Sequence, residues 1–255
     1  MNFIISAVTD VGIQKQTNQD SLSTMVVNTC QGRMAFAVLC DGMGGLAMGE
    51  VASSSVTNAF RKWVMQRLPE LCNKPLEDVV IRDEWISIVR SQNDSIRRYG
   101  MEHNVRLGTT VVAMLLTQDR YYILNVGDSR AYEISTTMRQ ITNDQSLVAR
   151  EVALGHLTPE EAERDSRRNV LLQCVGALDT VYPDVFCGEI CTDGVYMLCS
   201  DGFRHEIAPW EIFDKLRPEV MLDEHSMHAN AQYLVDLNKQ RQEQDNISVA
   251  LVRTF

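Results

Sequence analysis

Four short acidic turns are spread along the 255-residue chain: Asn18-Gln19-Asp20, Asp41-Gly42-Met43-Gly44-Gly45, Ser200-Asp201-Gly202 and Asp245-Asn246. Each stands where an apolar, strand-like run begins or ends, so only a folded domain can bring them together. If it does, several carboxylates share one small space. Two like charges about 4 Å apart repel by roughly 4 kcal/mol at an effective dielectric of about 20, so such a cluster calls for cations. The turns offer oxygen donors and contain none of the five histidines (His103, His156, His205, His225, His228), which favours a hard ion, Mg²⁺ or Mn²⁺, over zinc. Gly42 lets the backbone approach such an ion and offer its carbonyl, while Gly44 and Gly45 permit backbone angles closed to other residues. Two ions a few Å apart can bridge and acidify a water and clamp both oxygens of a phosphoryl transfer, so the chemistry indicated is metal-dependent hydrolysis.

The elements that would position these turns are legible from periodicity. Residues 3–8, 21–28 and 33–40 read as strands, the second and third joined by a turn at Gln31-Gly32. After the Asp41 turn the period changes: Ala52, Val56, Ala59, Phe60 and Trp63 share one face of a helix, and Ile81, Trp85 and Ile88 mark a second helix beyond a loop bounded by Pro69 and Pro75. Strand signals return over 109–116, 121–126 and 130–134, and again over 185–190, 194–199 and 247–252. Helices are expected near 209–216 and 221–239, the latter with Leu222, Ala229, Tyr233 and Leu237 as core contacts. Residues 147–168 are charged and poor in core residues. They read as short helices in a surface flap, with Thr158, Pro159 and Glu161 forming an N-terminal capping signature. Strands that follow strands directly, with helices in pairs, predict an α+β fold: two antiparallel sheets packed face to face, helices on both outer sides, and the flap as a small insertion.

Bulk properties agree with a globular enzyme. Hydrophobic residues make up 45% and charged residues 23%, and no linker, repeat or low-complexity tract divides the chain, so residues 1–255 read as one domain. A net charge of −10 argues against a nucleic-acid partner. The longest apolar runs, 34–40 and 111–116, are strand-sized, and no leader or membrane span is evident. Seven cysteines without regular spacing read as reduced thiols of a cytoplasmic protein rather than a disulfide framework or zinc site. The one close pair, Cys187 and Cys191, has no companion ligands.

The order of motifs resembles the bacterial branch of the PPM family, the metal-dependent, protein phosphatase 2C-like Ser/Thr phosphatases. Thr9-Asp10-Val11-Gly12 with Asn18-Gln19-Asp20 is similar to the family's opening motif, and the Asp41 turn to its hallmark. Leu107-Gly108-Thr109-Thr110, Val126-Gly127-Asp128-Ser129-Arg130, Ile141-Thr142-Asn143-Asp144, Ser200-Asp201-Gly202 and Asp245-Asn246 follow in family order over nearly the whole chain. The resemblance implies that Asp41 bridges two Mn²⁺ or Mg²⁺ ions with the Gly42 carbonyl on one of them. It further implies that Asp201 and Asp245 complete the other site, Asp20 holds a metal-bound water, and Asp128 with Asp201 serves a third ion. It implies direct attack of the bridging hydroxide on phosphorus without a phosphoenzyme, phosphoserine and phosphothreonine proteins as substrates, a cognate Ser/Thr kinase as opponent, and a flap beside the active site. A monomer is expected, there being no coiled-coil or additional segment.

Three positions depart from the family pattern. Lys15 stands where the family has a phosphate-binding arginine, keeping the charge but not the planar two-point grip. Met43 stands where eukaryotic relatives have a histidine, and Gln145 replaces the histidine of the common Asp-His-Ser. An Asp beside a Gly is most often a turn residue, and Asp128 or Asp144 taken alone would be read so. Thr109 and Thr110 read as residues packed beneath the site, Asn246 as one that orients Asp245 or caps a turn, and Ser200 as a strand-end residue with no evident His or Lys partner. Two other functions fit the same motifs. One is a catalytically silent regulator, for which Lys15 would be the mark. The other is a phosphatase dedicated to a single regulatory phosphoserine protein.

Overall fold

The computed structural model describes residues 1–43 and 48–255. Gly44 and Gly45, and the expectation about their backbone angles, lie outside the described residues. In chain order the elements are β1 (Phe3–Asp10), β2 (Ser21–Thr29), β3 (Gly32–Cys40), α1 (Gly49–Lys62), α2 (Leu68–Leu71), α3 (Asp78–His103), β4 (Val111–Leu116), β5 (Arg120–Val126), β6 (Arg130–Ile134), β7 (Met138–Gln140), α4 (Leu147–Ala153), α5 (Pro159–Arg164), β8 (Asp184–Glu189), β9 (Gly194–Cys199), α6 (Pro209–Leu216), α7 (Glu224–Gln240) and β10 (Ile247–Thr254). They form two five-stranded sheets, ordered β1-β10-β9-β6-β7 and β2-β3-β4-β5-β8, with every named pairing antiparallel.

The period-2 alternation of β3 makes the layering visible. Met34, Phe36, Val38 and Cys40 face the α1/α3 layer, while Ala35, Ala37 and Leu39 face the other sheet. Between the sheets, Val112, Met114 and Ile123 meet Tyr196, Leu198, Ala250 and Val252. On the far side, β9 and β10 present Val195, Met197, Val249 and Leu251 to α6 and α7. The result is the expected sandwich with helices on both outer faces. Ala52, Val56 and Phe60 form the buried stripe of α1, and Ile81, Trp85, Val89 and Ile96 that of α3. Their meeting point is an aromatic cluster in which Trp85 lies edge-on to Phe36, Phe60 and Trp63 at 6.3, 5.7 and 5.6 Å, each such pair contributing about 0.5–1.5 kcal/mol beyond its burial.

Two expectations need correction. The short strand β7 gave no sequence signal, because only Met138 of its three residues is apolar. The stripe expected on the last helix was also misplaced. Asp223 caps α7 by accepting the Ser226 N–H at 2.7 Å, which leaves Leu222 outside the helix and 74% exposed. The buried face is Met227, Ala231, Leu234, Val235 and Asn238, whereas Ala229 and Tyr233 are exposed and Leu237 is half-buried. Asn238 is polar yet fully buried, donating to the Phe203 and Leu234 carbonyls, so counting apolar residues alone pointed to the wrong face. The flap does contain two short helices, and Thr158 and Glu161 form the predicted capping box with Pro159 in the first turn.

Antiparallel register explains how distant turns meet. Ser21 pairs with Cys40, Val249 and Arg130 both pair with Cys199, Asp10 pairs with Ile247, and Val126 pairs with Val111. The ends of β1, β3, β5 and β9 and the starts of β2, β4, β6 and β10 therefore lie along one rim of the sandwich.

Candidate active site

Each acidic turn occupies that rim. Asp41 leaves the end of β3, Asp20 precedes β2, Asp128 lies between β5 and β6, Asp201 follows β9, and Asp245 precedes β10. The Asp41 turn is latched on both sides: its N–H donates to Thr110 Oγ1 at 3.0 Å, and its carbonyl accepts from the Thr110 N–H and the Thr109 hydroxyl, both at 2.9 Å. Gly42 donates to the Gln19 carbonyl at 3.1 Å, and a Cβ at Gly42 would fall 2.5 Å from that oxygen, so only glycine permits the close approach. Thr109 and Thr110 thus pack beneath the site as read from the sequence.

Asn246 ties the opening loop to the last strand. Its amide donates to the Val11 and Thr17 carbonyls at 2.9 and 3.3 Å, its Oδ1 accepts the Gln19 N–H at 2.9 Å, and its own N–H donates to Asp245 Oδ1 at 2.8 Å. Lys15 is carried back over the rim by this loop, with Nζ 3.1 Å from Asp245 Oδ1. The Ser200 hydroxyl is engaged with the backbone of Ser248, accepting its N–H at 3.0 Å, while the Ser248 hydroxyl pairs with Thr9 at 2.8 Å. Among the described residues no His or Lys is hydrogen-bonded to either serine; the acid both hydroxyls stand beside is Asp20, whose charged form they favour, so Ser200 lacks the partner a serine nucleophile needs.

The electrostatics single out the same carboxylates. Burial, then the negative charges of Asp20, Asp201, Asp128 and Asp245, hold Asp41 well above the usual carboxylate range. Burial foremost, with Asp201 and Asp245 adding to it, pushes Asp20 up to about 7, and burial together with Asp201 does the same for Asp128. Both oxygens of Asp20 and Oδ1 of Asp201 are closed off from solvent with no hydrogen-bond partner. Buried, unpartnered carboxylate oxygens are costly unless something positive meets them, and oxygen donors of this kind suit a hard divalent cation. The donor set fits Mn²⁺ or Mg²⁺, although among the described residues no three acidic, His or Cys side chains already converge on one point. A cavity of about 700 Å³ beside the C-terminal end of α3, with Arg97, Arg106 and Leu107 in its wall, is lined by none of these acids.

Residues that the motifs did not flag also stand here. His205, which lies outside the acidic turns in sequence, has Nε2 3.6 Å from Asp201 Oδ2 and Nδ1 3.4 Å from Glu243 Oε2, so a histidine reaches the rim from beside one of them. Burial works to lower the His205 pKa, but Glu243 and Asp201 outweigh it and raise it overall. Glu243 sits in the polar run Gln242-Glu243-Gln244-Asp245, which reads as solvated surface, so only its spacing from Asp245 could have marked it. Arg130 grips Asp144 through two hydrogen bonds of 2.8 and 2.7 Å, and Arg204 donates to the Asp128 carbonyl at 3.1 Å. Gln145, whose departure from the family pattern had no evident consequence, accepts the Gly127 N–H on its side chain at 3.0 Å and donates its own N–H to the Gly127 carbonyl at 2.9 Å. It thereby fixes the residue immediately before Asp128. No helix among the described residues is long and apolar enough to cross a membrane.

Comparison with known proteins agrees with this geometry. A family model described as protein phosphatase 2C matches residues 12–232. A putative protein phosphatase 2C-type of Streptococcus pyogenes is 32% identical over 253 residues, covering 97% of this chain and 96% of its own length. Protein phosphatase PhpP of Streptococcus pneumoniae is 32% identical over 252 residues with the same coverage, 97% and 96%. Among solved structures, the serine/threonine phosphatase Stp1 from Staphylococcus aureus superposes with a TM-score of 0.85 at 28% identity, over 100% of this chain and 96% of that one. The catalytic domain of the serine threonine protein phosphatase PstP in complex with two manganese ions gives 0.77 at 27% identity, over 98% and 97%.

Proposed function

The chain belongs to the protein phosphatase 2C family and is a protein serine/threonine phosphatase; from that premise we propose that it removes phosphate from phosphoserine and phosphothreonine by metal-dependent attack of water on phosphorus. The observation that carries the mechanism is the rim of mutually repelling carboxylates, of which Asp20 and Asp201 keep buried oxygens without partners. Asp41, with the Gly42 carbonyl, Asp201 and Asp245 would hold two Mn²⁺ or Mg²⁺ ions, Asp20 would orient water beside them, and Asp128 with Asp201 would take a third. Divalent cations in such a site neutralise phosphate charge and make water acidic enough to attack at neutral pH.

The remaining work falls to this chain's own groups. The Thr109/Thr110 latch fixes the Asp41 turn, so the bridging carboxylate is held in place before substrate arrives. Lys15 would meet the phosphoryl group as a point charge, leaving Asp245 to the cation. The same reading takes the protein as a cytoplasmic monomer that opposes a bacterial Ser/Thr kinase, with the 147–168 flap governing substrate access. Seven free cysteines are in keeping with a reducing compartment.

Phosphate release from a phosphothreonine peptide, with Mn²⁺ and with chelator, is the test for wild type and Asp201→Asn. Release that needs Mn²⁺ and collapses in the variant is the expected result. A folded, Mn²⁺-supplied wild type that releases nothing would overturn the reading and leave a silent phosphatase-fold regulator.

A further inference from the structure

The C-terminal end of α7 and the segment after it tie several parts of the rim together. Asn238 holds the Phe203 carbonyl at 2.8 Å, two residues beyond Asp201. Lys239 pairs with Asp10 at 2.7 Å, and Asp10 in turn accepts the Gly12 N–H at 2.8 Å. Glu243 is tied to the same helix end, its N–H donating to the Asn238 carbonyl at 3.0 Å.

Glu243 divides its two oxygens. Oε1 accepts the N–H groups of Gln244 and Asp245, both at 2.8 Å, which fixes the loop that carries Asp245. Oε2 faces His205 Nδ1 at 3.4 Å. His205 turns its other nitrogen toward Asp201 Oδ2 at 3.6 Å, leaving Asp201 Oδ1 buried and without a protein partner. One oxygen of Asp201 is thus steadied by the protein while the other remains free for a ligand. The imidazole ring spans the gap between two chain segments some forty residues apart in sequence, 201–205 and 243–245, each of which carries one candidate metal carboxylate.

We propose that Glu243 and His205 form a positioning pair that sets the orientation of Asp201 relative to Asp245 and so raises the site's affinity for its divalent cation. The inference rests on the reading of Asp201 and Asp245 as metal ligands. A histidine paired with a buried glutamate would, for stability alone, need only one partner; here the ring has a second, and that partner is a carboxylate of the site. Outer residues that orient metal ligands commonly contribute ten- to a hundredfold in affinity.

The test is Mn²⁺ titration by calorimetry on wild type, His205→Ala, His205→Gln and Glu243→Gln, with thermal unfolding in chelator alongside. His205→Gln nearly keeps the side-chain volume, so the result does not hang on the alanine variant folding. The expected outcome is a roughly tenfold or larger rise in the Mn²⁺ Kd for the His205 variants. Much of the lost phosphatase activity should return at saturating Mn²⁺, with KM for the phosphopeptide little changed. Glu243→Gln should weaken Mn²⁺ binding in the same direction, and combining it with His205→Ala should cost less than the two effects summed, as expected of residues acting through one contact. Variants that unfold at a lower temperature in chelator yet bind Mn²⁺ within twofold of wild type would reduce the pair to ordinary packing and overturn the proposal. A wild type that binds no Mn²⁺ at all would instead bring down the metal-ligand reading, and the positioning role with it.

Discussion

Asp144 and the acids of the rim interact across the fold, and the protein treats them in opposite ways. Asp144 is met by the Arg130 guanidinium through two short hydrogen bonds, with Arg204 3.7 Å away. Asp20, Asp41 and Asp128 are surrounded by other carboxylates, and burial with mutual repulsion raises all three. Asp144 is solved internally, its charge answered by a neighbour from the same sheet. The others are left in a state that costs stability until a cation answers it. An acid gripped by its arginine through two hydrogen bonds serves the fold; acids that burial and one another keep raised even with Arg204 close to Asp128 mark where a ligand belongs.

The largest effect expected from this contrast is on activity. Asp41→Asn removes the carboxylate whose charge four other acids oppose and which the proposed function assigns to both cations. Phosphate release should fall by about 10³ or more, a loss of the order seen when a principal electrostatic contact to the reacting group is deleted. Residual activity within tenfold of wild type would take Asp41 out of the bridging role.

Stability then separates the two groups. Asp144→Asn leaves the half-buried Arg130 guanidinium with only the Tyr132 hydroxyl and should lower unfolding free energy by about 1–2 kcal/mol, read from urea denaturation. Asp20→Asn should do the reverse in chelator, leaving stability equal or raising it by roughly 1–2 kcal/mol, since it removes a buried charge that has no partner. The pH dependence follows the same sign. Burial pushes the Asp20 carboxyl from the ordinary carboxylate range up to about 7, so the folded state binds the proton more tightly. Between about pH 4 and pH 7 rising pH therefore destabilises the chelated protein. Asp20→Asn should flatten that slope, and the Mn²⁺-induced rise in Tm should grow from pH 5 to pH 8. Equal losses for Asp20→Asn and Asp144→Asn would erase the distinction.

How much of this was legible depends on what each residue touches along the chain. The sheets were readable because β3 alternates and because β4 and β9 are unbroken apolar runs, and the acid turns because Gly and Asn punctuate their ends. Asp128 and Asp144 look alike in sequence, each a turn Asp near a strand. Only folding reveals that Arg130 answers one and other acids surround the other. His205 and Glu243 were invisible for a related reason, since their partnership joins segments that no local pattern connects. Asn238 misled the helix reading because its burial depends on a carbonyl 35 positions away.

Lys15 is a cation at the edge of the site, paired with Asp245. It contacts Asp245 at 3.1 Å with 31% of its side chain exposed, so the contact itself contributes little to stability. Its expected role is on substrate. Lys15→Ala should raise KM for a phosphopeptide about tenfold with a smaller change in kcat, while Lys15→Arg should restore or lower KM through a two-point grip. An unchanged KM in Lys15→Ala would assign phosphate binding elsewhere.

The smallest effect belongs to a partly exposed ion pair outside the acidic turns. Glu211 accepts two hydrogen bonds from Arg241 at 2.7 Å and reaches back to the Ala208 N–H at 2.9 Å, stapling the start of α6 to the end of α7. The Arg241 side chain holds its carboxyl down at about 2, below the ordinary glutamate range, with the Ala208 N–H helping. A depressed folded pKa gives stability that is present above about pH 4.5 and fades as pH falls toward 2. Because Arg241 is 39% exposed, water screens the pair, and Glu211→Gln should cost below about 1 kcal/mol at pH 7. The difference from wild type should shrink on going from pH 7 to about pH 3, and phosphatase activity should not change. A pair of this kind is worth little because both charges were comfortable in water beforehand; the rim acids matter because they were not. If Glu211→Gln destabilised the protein as much as Asp144→Asn, burial would not be what distinguishes them, and the contrast would have to be rebuilt on geometry alone.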